Sequence, residues 1–335
     1  MVPLRLSFPG LPDAPDVHLS VDGMTPRGPN LSHWPGNRTP PQWKADLSTG
    51  ICLAFARASA AEQHRFLGDV DTVVNDHYDT DGFGSLLAIL QPEVAFAREE
   101  VLLAAAACGD FGMFSTRHAF AIDRIVARIA EPHSPYAGIF KGMASAERCV
   151  ARYRFLIEHA AALLDARLRL DELWLEECIA VEDQLRQARV QGSVVRRLHQ
   201  ALGFAILATR APVQRMTLNT LAAAYRVLHV EHLPDGVRYR YHDRTESWFE
   251  LQTIVAPPRR DLRPVAARLQ ALESRAGRTA GEWVADAPTE PIPELYHGVP
   301  AIQEYGQITR TLTPSALDPE TVEGELGRCF AETMP

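Results

Sequence analysis

The sequence predicts an α/β fold: a parallel-sheet domain with many helices, followed by a smaller α+β part built on an antiparallel meander. Three observations carry this expectation. Residues 70–76 form a β-branched run that passes directly into a turn and an apolar helical stretch, the order typical of parallel sheets. Helical spacing then dominates up to about residue 209. After residue 225 apolar and polar residues alternate, with the turn Leu-Pro-Asp-Gly at 233–236. The expected domains are 1–165 (α/β), 166–222 (a helical connector) and 223–335 (meander, helix and a C-terminal segment that wraps the surface).

The elements follow in order. Residues 1–45 are rich in Pro and Gly, with one strand expected at Val17–Val21 and an aromatic, polar loop, Leu-Ser-His-Trp-Pro-Gly-Asn-Arg-Thr-Pro-Pro, at 31–41. Trp34 and Trp43 are its expected anchors. Lys44–Gly50 should precede a helix that runs through Ala58, capped by Asp46 or Ser48. After the 70–76 strand, helices are expected at 83–90, 93–108, 114–130 and 143–167. Residues 171–209 continue that spacing, with Leu173, Trp174, Cys178 and Val181 as a buried stripe. Tyr225–His232, Val237–His242 and Ser247–Val255 read as the three strands of the meander. Pro257-Pro258 ends it, and a helix should follow to about Ser274. Beyond Gly277, Trp283, Tyr296, Tyr305 and Phe330 are isolated apolar residues in a Pro-, Gly- and acid-rich segment.

Composition narrows the function classes. The 335 residues provide ample core, and 46% hydrophobic with 23% charged residues is ordinary for a globular chain. A net charge of −8 argues against general nucleic-acid binding, although it leaves room for a local basic patch. Cys52, Cys108, Cys149, Cys178 and Cys329 are scattered, odd in number and lack a Cys-x-x-Cys, so free buried thiols in a reducing compartment are expected. No basic start leads into an apolar core at the N-terminus, and the longest apolar run, Val101 to Cys108, is far shorter than the roughly 20 residues a bilayer requires. The expected setting is cytoplasmic, without a membrane; a homo-oligomer is compatible with this composition.

Chemistry concentrates at 73–90, Val-Val-Asn-Asp-His-Tyr-Asp-Thr-Asp-Gly-Phe-Gly-Ser followed by an apolar run. His77, Asp79 and Asp81 lie where a strand ends, the place at which open α/β sheets carry their sites. On a continuing strand Asn75, His77 and Asp79 would share one face. Imidazole with carboxylates suits Mn²⁺, Fe²⁺, Zn²⁺ or Mg²⁺. Gly82 would permit backbone angles closed to other residues. An EF-hand is excluded, because with His77 as the first loop position the twelfth is Ala88 instead of a bidentate Glu. A dizinc peptidase needs further acids and a glutamate base, for which Glu99-Glu100 offers only a pair on a helix. The local alternative is a turn in which Asp79 or Asp81 caps the next helix.

The order His77-x-Asp79-x-Asp81-Gly82-x-x-Ser85 resembles the first motif of the DHH phosphoesterase superfamily. The resemblance implies a parallel-sheet domain that holds two divalent ions, Mn²⁺ ahead of Zn²⁺, Fe²⁺ or Mg²⁺. Such ions, about 3.5–4 Å apart, activate water for attack on a phosphoester or phosphoanhydride. His77, Asp79 and Asp81 would be ligands. The consecutive Asp-His-His of that superfamily does not occur here, and Asp110, in Ala-Ala-Cys-Gly-Asp-Phe, is the nearest downstream acid in a loop setting. The chain as a whole is similar to a bacterial family without assigned function.

A small anionic substrate is the expected partner. Arg238, Arg240 and Arg244 in the meander are candidates to grip it, since guanidinium matches phosphate or carboxylate bidentately. His33 and Arg38, with Asn37 and Lys44, would reach the site from the 31–50 loop. Two functions follow: a metal-dependent hydrolase, or a non-catalytic binding or regulatory protein on a phosphoesterase-like scaffold.

Overall fold

In the computed structural model, residues 4–168, 170–277, 281–304 and 307–332 are described. The chain divides into two units. The first runs to Ala180 and also includes Phe249–Ile254; the second takes Val181–Trp248 and the chain from Val255 onward.

The first unit is built on short parallel strands: β1 (Arg5–Ser7), β2 (Leu19–Val21) and β3 (Asn30–Leu31), then, after helices α1 (Ser48–Ala56) and α2 (Ala60–Leu67), β4 (Thr72–Val74). Their order across the sheet is β1-β4-β2-β3. Leu19, Val21, Leu31, Val73 and Val74 are fully buried, so both faces of the sheet are covered, which explains continuous apolar strands in place of alternation. Ser59 and Glu62 form a capping box that starts α2. The helices that follow are α3 (Thr80–Leu90), α4 (Pro92–Phe96), α5 (Glu99–Asp110), α6 (Arg117–Ile129), α7 (Ser145–Glu158) and α8 (Ala160–Leu164). α3 is the central one: nearly all of its length is buried, and it packs on α1, α4, α5, α6 and α7.

α9 (Leu175–Gln191) spans the division between the units. Among the described residues, the second unit then holds β5 (Val194–His199), β6 (Phe204–Thr209), α10 (Arg215–Ala222), β7 (Arg226–Leu233), β8 (Gly236–Asp243), α11 (Arg263–Arg275), β9 (Glu282–Ala285), β10 (Glu294–Glu304), β11 (Gln307–Leu312) and α12 (Pro319–Ala331). The sheet order is β11-β10-β8-β7-β6-β5 with β9 also on β10; β6 and β7 are parallel and the other pairs antiparallel. One face, through Phe204, Ile206, Leu228, Tyr239, Tyr241 and Leu295, packs on α11 and α12. Ala205, Leu207 and Val227 on the other face meet Leu218 and Ala222 of α10.

The α/β class and the two differing sheets agree with the expectation. Several elements differ. The strand at 70–76 stops at Val74, because Asn75 Oδ1 accepts from His77 N (2.9 Å) and turns the chain. The helices expected at 93–108 and 143–167 are each two pieces. Residues 194–209 are two strands instead of helix. Gly192 takes a left-handed conformation (φ 62°) that ends α9, and Phe-Ala-Ile-Leu-Ala-Thr is a buried run whose period cannot distinguish strand from helix. The third strand beside β8 is β10, while 247–255 forms no strand. The C-terminal part is sheet and core: Trp283, Tyr296 and Phe330 are buried. Tyr305 lies outside the described residues. All five cysteines are free and buried, and among the described residues no helix is long and apolar enough to cross a membrane.

Candidate metal centre

The C-terminal ends of the parallel strands converge on one cluster of acids and imidazoles. Asp22 follows β2 directly, in a left-handed conformation (φ 48°) that a non-glycine residue adopts only when its surroundings hold it there. His33 follows β3. The turn after β4 supplies His77 and Asp79, the N-terminus of α3 supplies Asp81, and the last residue of α5 is Asp110. Ligand atoms of Asp22, His33, Asp81 and Asp110 lie within 4.8 Å of one another, and so do those of Asp22, His77 and Asp79. Asp22 belongs to both groups.

Hydrogen bonds orient each ring toward the cluster. His33 Nδ1 is 2.7 Å from the Asp46 carbonyl, which as an acceptor requires the proton on Nδ1 and leaves Nε2 as a donor pair of electrons. That Nε2 is 3.3 Å from Asp110 and 3.7 Å from both Asp22 and Asp81. His77 is arranged likewise, with Nδ1 at 3.0 Å from Asp76 Oδ1 and Nε2 at 2.9 Å from Asp79 and 3.3 Å from Asp22. The Tyr153 hydroxyl, which donates to the His77 carbonyl (3.1 Å) and accepts from Asp79 N (3.1 Å), fixes the turn between them.

Two of these ligand-type residues also hold backbone. Asp79 is the N-cap of α3 and accepts from Gly82 N (2.8 Å). Asp81 accepts from Ser48 N and Thr49 N (2.8 Å each) at the start of α1. The capping alternative therefore describes part of what they do. Gly82 has ordinary helical angles; its lack of a side chain matters because a Cβ there would run into Asn75 Nδ2 and Tyr153 Oη. The correction is one of reason: close approach, instead of a special φ.

The electrostatics match a cation-binding site. Burial, with Asp79 and Asp81 close by, pushes the Asp22 carboxyl well above the usual range. Asp110 is raised in the same way by burial and by Asp81, Asp79 and Asp22. Burial lowers His33, holding it neutral. Burial also opposes charge on His77, but Asp79 and the hydrogen bonds to Asp22, Asp76 and Asp79 outweigh it and raise this ring well above the usual value. Asp22 Oδ1 and His33 Nε2 are buried without a hydrogen-bond partner. Buried acceptors left in this state, surrounded by further carboxylates, fit a hard divalent cation that would satisfy them all.

The remaining candidates lie elsewhere. Arg38 staples its own loop through the carbonyls of Thr25 (2.9 Å) and Gly28 (3.2 Å). Asn37 and Lys44 bind the Glu250 carboxylate. In the second unit, Arg244 is buried in an ion pair with Glu246, which occupies its guanidinium, and Arg238 pairs with Asp235 (2.6 Å). Arg240 donates twice to buried Glu294 (2.8 and 2.9 Å). Arg215 also pairs with Glu294, and Arg310 bridges Asp286 (2.6 Å) and Glu294 (3.4 Å). Glu99 pairs with Arg57 on α5. Sequence reasoning missed Asp22, although Val21-Asp22-Gly23 repeats the Asp-Gly pair seen at 81–82.

Fold and cluster together define an α/β protein whose parallel sheet presents Asp and His side chains able to hold divalent metal. The chain belongs to the family described as "Family of unknown function (DUF6687)", whose model matches residues 5–335. No curated protein matches it. Among solved structures, a pGpG-specific phosphodiesterase, PggH from Vibrio cholrae, shares 10% identity at a TM-score of 0.28, over 76% of this chain and 92% of that one. A likeness that distant carries no argument about fold or activity.

Proposed function

We propose that the protein is a divalent-metal-dependent hydrolase of a phosphoester or phosphoanhydride. The observation that carries this reading is Asp22, a buried carboxylate shared by a group with His33, Asp81 and Asp110 and a group with His77 and Asp79. A carboxylate common to two ligand groups is the arrangement that serves two neighbouring cations. Hard oxygen donors with a single imidazole in each group favour Mn²⁺ over the softer choices.

The residues of the chain divide the work. Asp46 and Asp76 orient the two imidazoles so that each offers Nε2 to the cluster. Tyr153 and the α3 N-terminus keep Asp79 and Asp81 at fixed spacing. When bound, two divalent cations supply the Lewis acidity that activates water and offsets charge on the leaving oxygen. In the second unit, Arg240, Arg215 and Arg310 share the buried Glu294 carboxylate. These three guanidiniums gather on Glu294 and Asp286, leaving one positive charge in excess.

The rival reading, a non-catalytic binding protein, draws on the missing Asp-His-His. Asp22, His33 and Asp110 offer replacement ligands from other elements, which favours the hydrolase. The test is elemental mass spectrometry on the purified protein, with a Mn²⁺-supplemented panel of phosphomonoesters, phosphodiesters and pyrophosphate. Bound metal and a chelator-sensitive activity are expected; failure of the full chain to take up metal from excess Mn²⁺ refutes the proposal.

A further inference from the structure

Residues Phe249–Ile254 are flanked in the chain by the second unit but belong to the first. Their hydrogen bonds described here fall on His33 or on the loop that carries it, while their apolar side chains also pack on α5 and Phe111. The Phe249 ring stacks on the His33 imidazole, with centroids 3.8 Å apart and planes 20° from parallel. Glu250 N donates to the His33 carbonyl (2.7 Å). The Glu250 carboxylate accepts from Gly36 N (2.7 Å) and Asn37 Nδ2 (2.8 Å) and pairs with Lys44 (3.3 Å). Gln252 N and Thr253 N donate to Asp46 Oδ1 (2.5 and 2.8 Å), and the Thr253 hydroxyl donates to the other oxygen. Leu251 and Ile254 pack with Leu47, Ala106 and Phe111.

Three things must be set before an imidazole can serve as a ligand: where its backbone lies, how its ring is turned, and which nitrogen carries the proton. Here Glu250 N holds the backbone and Phe249 holds the ring plane. The Asp46 carbonyl sets the tautomer, and Asp46 is itself held by Gln252 and Thr253. The hydrogen bonds that hold His77 come from a different set, Asp76, Asn75 and Tyr153, none of which touches this segment in the bonds described above; from the His33 loop only the Trp34 ring lies against it, with centroids 5.0 Å apart.

We infer that Phe249–Ile254 is a clasp that presets His33 for the cation position shared with Asp22, Asp81 and Asp110, with Phe249 as the positioning residue, so that occupancy of this position depends on the clasp and that of the His77/Asp79 position does not. The inference rests on the metal-centre reading above. Partners that orient a metal-ligating histidine typically contribute about 10–100-fold in affinity, and that is the loss expected at one position of two.

The experiment is Mn²⁺ titration of the full-length protein by calorimetry, with electron paramagnetic resonance on the loaded samples. The variants are Phe249→Ala, Phe249→Tyr and Glu250→Ala. Wild type should bind two equivalents and give the signal of a coupled pair. Phe249→Ala should bind one equivalent as before and the second about 10–100-fold more weakly, with the six-line spectrum of isolated Mn²⁺ at one equivalent. Phe249→Tyr should restore the wild-type pattern, because a tyrosine ring stacks equally well. Glu250 is half-exposed, so Glu250→Ala should fold normally and weaken the same position; it decides the matter if Phe249→Ala does not fold. Two equivalents at wild-type affinity in Phe249→Ala, or in Glu250→Ala where the former does not fold, overturn the clasp while leaving the metal centre standing. No binding by wild type overturns both.

Discussion

Replacing Asp22 with Asn should separate the stability of the metal-free protein from its capacity for metal. Asp22 is 1% exposed, and its ligand oxygens lie within 4.8 Å of those of Asp79 in one group and Asp81 in the other. Two unit charges at that separation repel by about 3.5 kcal/mol at an effective permittivity of ~20. Burial and these neighbouring carboxylates raise the Asp22 pKa well above its usual value, which favours the neutral carboxyl and becomes costly as pH rises. Asn has the same size and no charge to lose, so at pH 8 in chelator the variant should equal wild type or exceed it by about 1–2 kcal/mol. Metal reverses the order. At a hundredfold excess over Kd, each site contributes about 2.7 kcal/mol, and two contribute about 5 kcal/mol. With roughly 2–4 °C per kcal/mol for a unit of this size, Mn²⁺ should raise the wild-type melting temperature by roughly 10–20 °C. Asp22→Asn, which loses a ligand from both groups, should barely respond. Thermal denaturation of both proteins in EDTA and in Mn²⁺ measures all four values. An equal Mn²⁺-induced shift in the variant refutes the shared-carboxylate reasoning.

Other substitutions probe neighbouring parts of the argument. Asp81→Ala should remove one of the two metal equivalents, that of the His33 position, and also cost about 2–5 kcal/mol, because two buried N–H groups at the start of α1 lose their acceptor; Asp81→Asn, which keeps one acceptor oxygen, should cost less in urea denaturation. Arg244→Ala should destabilise the protein by about 3–5 kcal/mol by stranding buried Glu246, while leaving Mn²⁺ stoichiometry unchanged. Burial, with Arg240 nearby, lowers the His229 pKa to about 4. The unfolded chain therefore binds the extra proton first, and stability falls as pH drops from about 6.5 to 4, by up to roughly 3 kcal/mol. His229→Gln should flatten that part of the pH–stability profile.

The sequence makes local features legible and leaves distant ones hidden. His77, Asp79 and Asp81 stand within five residues, and their strand-to-helix setting can be read from Val73-Val74 and the apolar run behind Gly82. Asp22, His33 and Asp110 join them only through the order of the parallel strands and the length of α5, which no local pattern encodes. The buried run at 204–209 gives no period to distinguish strand from helix. Phe249–Ile254 has the composition of a strand, but its backbone and side chains are used by a loop some two hundred residues earlier in the chain.

That separation has a temporal side. A ribosome adding 5–20 residues per second needs roughly 10–45 s to travel from His33 to Ile254. For the last two thirds of this interval Asp22, His33, Asp81 and Asp110 have all been synthesised, but Phe249–Ile254 has not. On the metal-centre proposal, the nascent chain thus carries a His33 position that is not yet aligned, and its loading would be a late step of biogenesis that follows translation of nearly half of the second unit.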